Sequence, residues 1–92
     1  MKAKKLIDYK VTLPNGVTVQ AVLWEVPPPV PPTTHGYKYR LVAVKDGQRV
    51  IGFDNERGKG DHRHDADVET PYVFVSVEKL MADFLQAVKE LK

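Results

Sequence analysis

Leu6-Ile7-Asp8-Tyr9-Lys10-Val11-Thr12-Leu13, then Pro14-Asn15-Gly16, then Val17-Thr18-Val19-Gln20-Ala21-Val22-Leu23-Trp24-Glu25-Val26: the fold can be read from this stretch. Ile7, Tyr9, Val11 and Leu13 alternate with Asp8, Lys10 and Thr12, the period of two that marks a half-buried strand. Asn15 and Gly16 accept the positive φ of a tight reversal, so Pro14-Asn15-Gly16 reads as a hairpin turn. A second strand from Val17 to about Val26 completes a β-hairpin.

The same signals recur downstream. Tyr37 to Lys45 is strand-like, Asp46-Gly47 is a turn, and Gln48 to Asp54 returns as a strand. Within it Tyr37 and Tyr39 share one face, Lys38 and Arg40 the other. Between the hairpins lies Pro27-Pro28-Pro29-Val30-Pro31-Pro32, which lacks ladder donors and favours polyproline II. In so small a chain it reads as a stiff connector rather than a ligand for an SH3-like groove. Pro71 precedes Tyr72-Val73-Phe74-Val75, expected as a short buried strand. Ser76 looks like a helix N-cap, and Leu80, Met81, Phe84, Leu85, Val88 and Leu91 form an amphipathic stripe. A helix of about fifteen residues would be roughly 22 Å long and cover several strands.

The expected architecture is α+β, a single domain over residues 1–92. It comprises an antiparallel sheet of about five strands, two hairpins plus a short strand, with the C-terminal helix packed on one face. The other face is then open and calls for polar residues, a ligand or a second protomer, so a homodimer is among the expected partners.

Composition narrows the function. The 92 residues contain no cysteine, which excludes thiolate metal sites, disulfides and a cysteine nucleophile and fits a reducing cytoplasm. No run approaches the roughly 18 apolar residues of a membrane span, and the basic N-terminus has no apolar signal stretch after it. A net charge of +2 permits nucleic-acid binding without requiring it.

The chemistry concentrates in Gly52-Phe53-Asp54-Asn55-Glu56-Arg57-Gly58-Lys59-Gly60-Asp61-His62-Arg63-His64. A nucleotide-hydrolysing P-loop does not fit: from Gly52 to Gly58-Lys59 the spacing is one residue too long, and Gly60 replaces the magnesium-binding hydroxyl. Gly58 and Gly60 still let the backbone approach an anion, with Lys59 between them. Asp61-His62 resembles the start of an HNH-type nuclease motif, whose downstream Asn and His are missing. His62 and His64 at i, i+2 on a strand point the same way, and Asp61 or Asp54 could complete a metal site. Lys59 and Arg63 beside them would oppose a cation.

Metal-free RNA cleavage suits the pattern better. Attack by the 2′-hydroxyl needs a base, an acid on the leaving 5′-oxygen and cations around the phosphate. Same-face Cα atoms two residues apart lie roughly 6.5 Å from each other, a spacing that could place His62 and His64 on either side of one phosphate. Arg57, Lys59 and Arg63 are the candidate phosphate contacts, and Asp61 or Asp54 could orient an imidazole. Tyr37 or Tyr39 could stack a base. His35, beside Gly36 after the proline run, reads as an ordinary loop histidine.

The run Phe53 to His64, followed by Pro71-Tyr72-x-Phe74 and Leu80-x-x-Asp83-Phe84, resembles the TumE-type toxins of bacterial and archaeal toxin–antitoxin modules. Tyr37-Lys38-Tyr39-Arg40-Leu41 and the proline-rich approach fit as well, so the likeness spans nearly the whole chain. It implies a small cytoplasmic toxin paired with an antitoxin that carries a helix-turn-helix DNA-binding domain. Joined to the residue chemistry, this gives a toxin acting as a metal-independent endoribonuclease with no cofactor. In it His62 and His64 are acid and base, Asp61 orients one of them, Lys59, Arg57 and Arg63 bind phosphate, and Tyr37 and Tyr39 meet RNA. The rivals are a non-catalytic nucleic-acid or protein-binding module and a metal-dependent nuclease using Asp61, His62 and His64.

Overall fold

The first hairpin forms where the alternation places it, as β1 (Lys4–Thr12) and β2 (Thr18–Glu25) paired antiparallel. Its turn is closed by Gly16 at φ +86° and by the Asn15 side-chain oxygen, which accepts from the Val17 N–H at 3.1 Å. These features come from a computed structural model that describes residues 3–29 and 31–91. Val30, in the middle of the proline run, lies outside the described residues.

The second hairpin is β3 (Tyr37–Lys45) and β4 (Gln48–Glu56), joined by Asp46 and Gly47, both at positive φ as a tight hairpin turn requires. Past Glu56 the chain reverses through residues 57–59 into β5 (Gly60–Asp65) and then β6 (Val68–Pro71). The result is one six-stranded sheet in the order β1-β2-β3-β4-β5-β6, every neighbouring pair antiparallel. The α+β expectation holds, with six strands rather than about five.

One element differs. Tyr72 to Val75, expected as a buried strand, runs as irregular chain. Its alternation is real, since Tyr72 and Phe74 pack against the core while Val73 and Val75 are largely exposed. Its task is to carry the chain off the sheet edge and over to the helix. Only the Tyr72 N–H, donated to the Asp61 carbonyl at 3.1 Å, continues the ladder.

The helix α1 (Val77–Lys89) starts on Ser76, whose Oγ accepts from the Lys79 N–H at 3.0 Å. Glu78 in its first turn and Lys89 in its last complement the helix dipole. Leu80, Phe84, Ala87 and Val88 are buried, whereas Leu85 of the expected stripe is half exposed and Leu91 lies past the helix end. The buried side packs on Val19, Ala21 and Leu23 of β2, Tyr39, Leu41 and Ala43 of β3, and Ile51 and Phe53 of β4. Burying each large apolar side chain there stabilises the fold by roughly 1.5–3 kcal/mol. The helix lies against β4 and is about 20 Å long. On β1, Ile7 still packs on the core while Tyr9 and Val11 stay substantially exposed.

The proline segment does not run as one extended rod. It bends at 27–28, turns at 31–32 and docks on the β4–β5 reversal, where the Gly58 N–H donates to the Pro31 carbonyl at 2.9 Å. Gly60, at φ +79°, faces Pro32 so closely that a Cβ would come within 3.3 Å of its ring. No helix among the described residues is long and apolar enough to cross a membrane.

Candidate functional site

Register decides which side chains meet on the face opposite α1. One row across the sheet is Val22, Arg40, Asp54 and His62; the next is Gln20, Val42, Gly52, His64 and Glu69. Asp54 is therefore the direct cross-strand neighbour of His62, and His64 stands one row over on the same face.

These three side chains converge. A carboxylate oxygen of Asp54 and a ring nitrogen from each histidine all lie within 4.8 Å of one another. His62 is 4% exposed, and its Nε2 is in direct contact with Asp54 Oδ1; His64 Nε2 is 3.8 Å from the same oxygen. The two rings meet edge-on with centroids 4.8 Å apart. His62 Nδ1 lies 3.0 Å from the Gly60 carbonyl, which can only accept, so Nδ1 carries the hydrogen. Nε2 of a neutral ring would then turn a lone pair toward a carboxylate oxygen. Neither atom makes a hydrogen bond of ordinary geometry, and both are buried. A proton or a cation between or beside them would relieve that contact.

Two hollows flank this trio. One, of about 400 Å³, is lined by Val22, Trp24, Lys38, Arg40, Asp54 and Glu56 among others. The second, of about 310 Å³, lies beyond His62 among Lys59, Glu69, Thr70 and Pro71. A fourth cation is Arg49. Gly52 has no side chain, and a Cβ there would sit 3.1 Å from Arg49 Cδ and 3.5 Å from His64 Cβ, so the Arg49 side chain packs against Gly52, the cross-strand neighbour of His64.

The other expected site residues divide. Lys59 stays beside the trio, its ammonium 3.1 Å from Glu69, which raises the lysine and lowers the glutamate from their ordinary pKa values. Glu69 in turn is 3.8 Å from His62 Nε2. Arg57 is exposed in the reversal at 57–59. Asp61 and Arg63 of β5, and Tyr37 and Tyr39 of β3, lie on the helix side of the sheet, because each strand alternates and they fall on the other phase. Arg63 forks onto Asp65 at 2.8 and 2.9 Å and stacks 5.0 Å over Phe53.

Asp61 does hold a histidine, but that histidine is His35. His35 Nε2 reaches both Asp61 oxygens at 2.8 and 3.0 Å, while the Tyr37 N–H donates to its Nδ1 at 3.2 Å. The Tyr39 hydroxyl donates to Asp61 at 2.6 Å, and His35 stacks on Phe74 with centroids 3.9 Å apart. Burial first, then the hydrogen bond to Asp61, push the Tyr39 phenol far above its ordinary pKa. The Tyr39 ring is 1% exposed, so it belongs to the core and offers no surface for a base. Trp24, on the open face beside Lys38 and Arg40, is the aromatic in that position.

Sequence reasoning missed Trp24, Arg49 and the structural use of His35. It weighed Asp54 beside Asp61, and one signal favoured Asp54. A reversal centred between Glu56 and Gly60 places residue 54 opposite 62 and 52 opposite 64.

Neither the curated proteins nor the solved structures contain a match to this chain. The family model described as toxin TumE matches residues 2–92, essentially the whole length. The sheet, the helix and the polar centre thus belong to a member of the TumE toxin family, the toxin component of a toxin–antitoxin module with an antitoxin as its partner.

Proposed function

We propose that this toxin is an endoribonuclease that cuts RNA on the open face of its sheet, at the Asp54–His62–His64 centre. The observation that carries this is the continuity of that centre with a cationic, tryptophan-bearing hollow. Lys38, Arg40 and Trp24 line the hollow that includes Asp54, and the Arg49 side chain packs on Gly52 in the next row. Single-stranded RNA is held by such a combination, phosphates on cations and a base stacked on an aromatic face.

His64 is the less enclosed of the two histidines and can take the proton from the attacking 2′-hydroxyl. His62 is the acid in this reading: a proton on its Nε2 passes to the 5′-oxygen once Asp54 draws back from the buried contact, and the exchange balances with one proton taken up and one given back. This keeps acid and base on the His pair, with Asp54 as the orienting carboxylate in place of Asp61. Lys59 stands ready beside His62 as a phosphate contact, with Arg57 exposed on the same reversal.

Purified protein incubated with total RNA tests the reading. Wild type should cleave, and the His62→Ala/His64→Ala double variant should lose at least about 100-fold in rate while keeping its circular dichroism spectrum. Expression of the same variant should no longer arrest growth. A double variant that still cuts and still arrests growth would sink the proposal. RNA binding that weakens steeply with salt, but without cleavage by the wild type, would assign the face to a binding module instead. The helix-turn-helix character of the antitoxin is tested by the neighbouring reading frame.

A further inference from the structure

We infer that Asp54, His62 and His64 form a site for one divalent first-row transition-metal ion, of the Zn²⁺ type. The inference takes its use from the RNA-cleavage reading above but not its binding chemistry.

A proton could relieve the Asp54–His62 contact, but a proton bridges two atoms and the centre has three. With a proton between Asp54 and His62, His64 Nε2 is left 3.8 Å from the carboxylate, beyond hydrogen-bonding distance. A metal ion would engage all three. Zinc binds imidazole nitrogen and carboxylate oxygen at about 2.0–2.2 Å, which places neighbouring ligand atoms roughly 3.3–3.6 Å apart. The trio lies within 4.8 Å, so small side-chain movements, chiefly Asp54 drawing back from His62, reach that arrangement. Two nitrogens and one oxygen suit Zn²⁺, Co²⁺ or Mn²⁺ rather than Mg²⁺ or Ca²⁺, which prefer oxygen alone.

Two further observations point to a ligand role. His62 donates Nδ1–H to the Gly60 carbonyl, the outer contact that fixes the tautomer of a metal-binding histidine and aims its Nε2 lone pair at the ion. That Nε2 belongs to a residue 96% buried and has no ordinary hydrogen-bond partner. The two cations beside the histidines in sequence are each engaged elsewhere. Arg63 is on the other face of β5, bound to Asp65, and Lys59 is paired with Glu69. Three protein ligands leave coordination positions for water or a phosphate oxygen, as catalytic zinc sites do.

The test is direct binding to chelator-treated full-length protein whose fold is checked by circular dichroism. Calorimetry with Zn²⁺ should give one equivalent, and Co²⁺ should develop the visible absorption bands of a low-coordinate nitrogen–oxygen site. His64→Ala and Asp54→Asn, both at the mouth of the centre, should each weaken Zn²⁺ binding at least about 100-fold. Folded protein that takes up no Zn²⁺, Co²⁺ or Mn²⁺ at millimolar concentration overturns the inference, as does uptake that both variants leave unchanged. RNA cleavage is scored separately. Cleavage by protein that binds no metal removes the ion and keeps the nuclease, whereas one-equivalent binding without cleavage keeps the ion and removes the nuclease.

Discussion

Strand β5 carries a histidine–carboxylate grouping on each of its faces, and the two differ in a single respect. On the helix side every polar atom described for His35 and Asp61 is served. His35 accepts from the Tyr37 N–H and meets Asp61 through Nε2, and Asp61 also accepts from Tyr39. A neutral imidazole satisfies that network completely. On the open side His62 spends its hydrogen on Gly60 and faces Asp54 with nothing to offer, while His64 is too far to help. Satisfied buried groups hold a fold together, and unsatisfied ones mark the place where something else binds. The same two residue types, one residue apart in phase along β5, thus separate into a brace and the centre proposed above as the site.

The widest separation should come from the two aspartates. Asp54→Asn is expected to lower RNA cleavage about 100-fold or more while leaving thermal stability close to wild type, since a neutral His62 keeps its Nδ1–H bond to Gly60 and its Nε2 can accept from the new amide. Asp61→Asn should do the opposite. Weakening a charge-assisted network of this kind costs about 2 kcal/mol, a fall of roughly 10 °C in Tm for a chain this size, with cleavage by the folded protein within about threefold of wild type. Paired melting curves and cleavage rates decide it. If Asp61→Asn is the one that destroys activity, the brace and the site have been assigned to the wrong faces.

The histidines give a smaller contrast on the stability axis. His35→Ala removes the ring stacked on Phe74 and leaves Asp61 with Tyr39 alone among its side-chain partners described here, an expected loss of about 2–3 kcal/mol. His64→Ala breaks no hydrogen bond among those described and loses only the edge-on packing on His62, an expected cost of about 1 kcal/mol. Urea unfolding measures both, and equal losses would erase the distinction.

How much of this could be read from residues alone follows from the range of each signal. Local signals worked: the Asn15-Gly16 and Asp46-Gly47 turns, the Ser76 cap and the 2 and 3.6 periods placed nearly every element. What failed was non-local. Tyr72 to Val75 has the alternation of a strand but serves as a crossing to the helix, and alternation cannot tell those apart. Tyr9 and Val11 fall on the apolar face of a strand read as half-buried, yet both stay substantially exposed, because burial depends on what packs over that face. In the dense segment the histidine pair was legible because i, i+2 is a local relation. Asp61 attracted notice as the sequence neighbour of His62, whereas the spatial neighbour is Asp54, brought there by hairpin register. His35 was unremarkable in its loop because its partner is 26 positions away.

Alkaline titration isolates the brace more finely. The Tyr39 phenol is held far above its ordinary pKa by burial and by Asp61, so the folded chain keeps that proton well past the point where the unfolded chain loses it. The sign follows from linkage. Below about pH 10 both states hold the proton and the contribution is fully present; above it the unfolded state binds fewer protons, and stability falls as pH rises. One such group contributes a slope of about 1.4 kcal/mol per pH unit. Tyr39→Phe should be less stable at neutral pH by the lost hydrogen bond to Asp61, about 1.5 kcal/mol, but its stability should decline less steeply above pH 10. The two curves should therefore converge as pH rises. Lysines and the other tyrosines titrate in both proteins and cancel in the difference. Curves that stay parallel between pH 9 and 11 would mean that Tyr39 ionises as freely in the fold as out of it, and the Asp61 network would lose its claim to be the satisfied face of the strand.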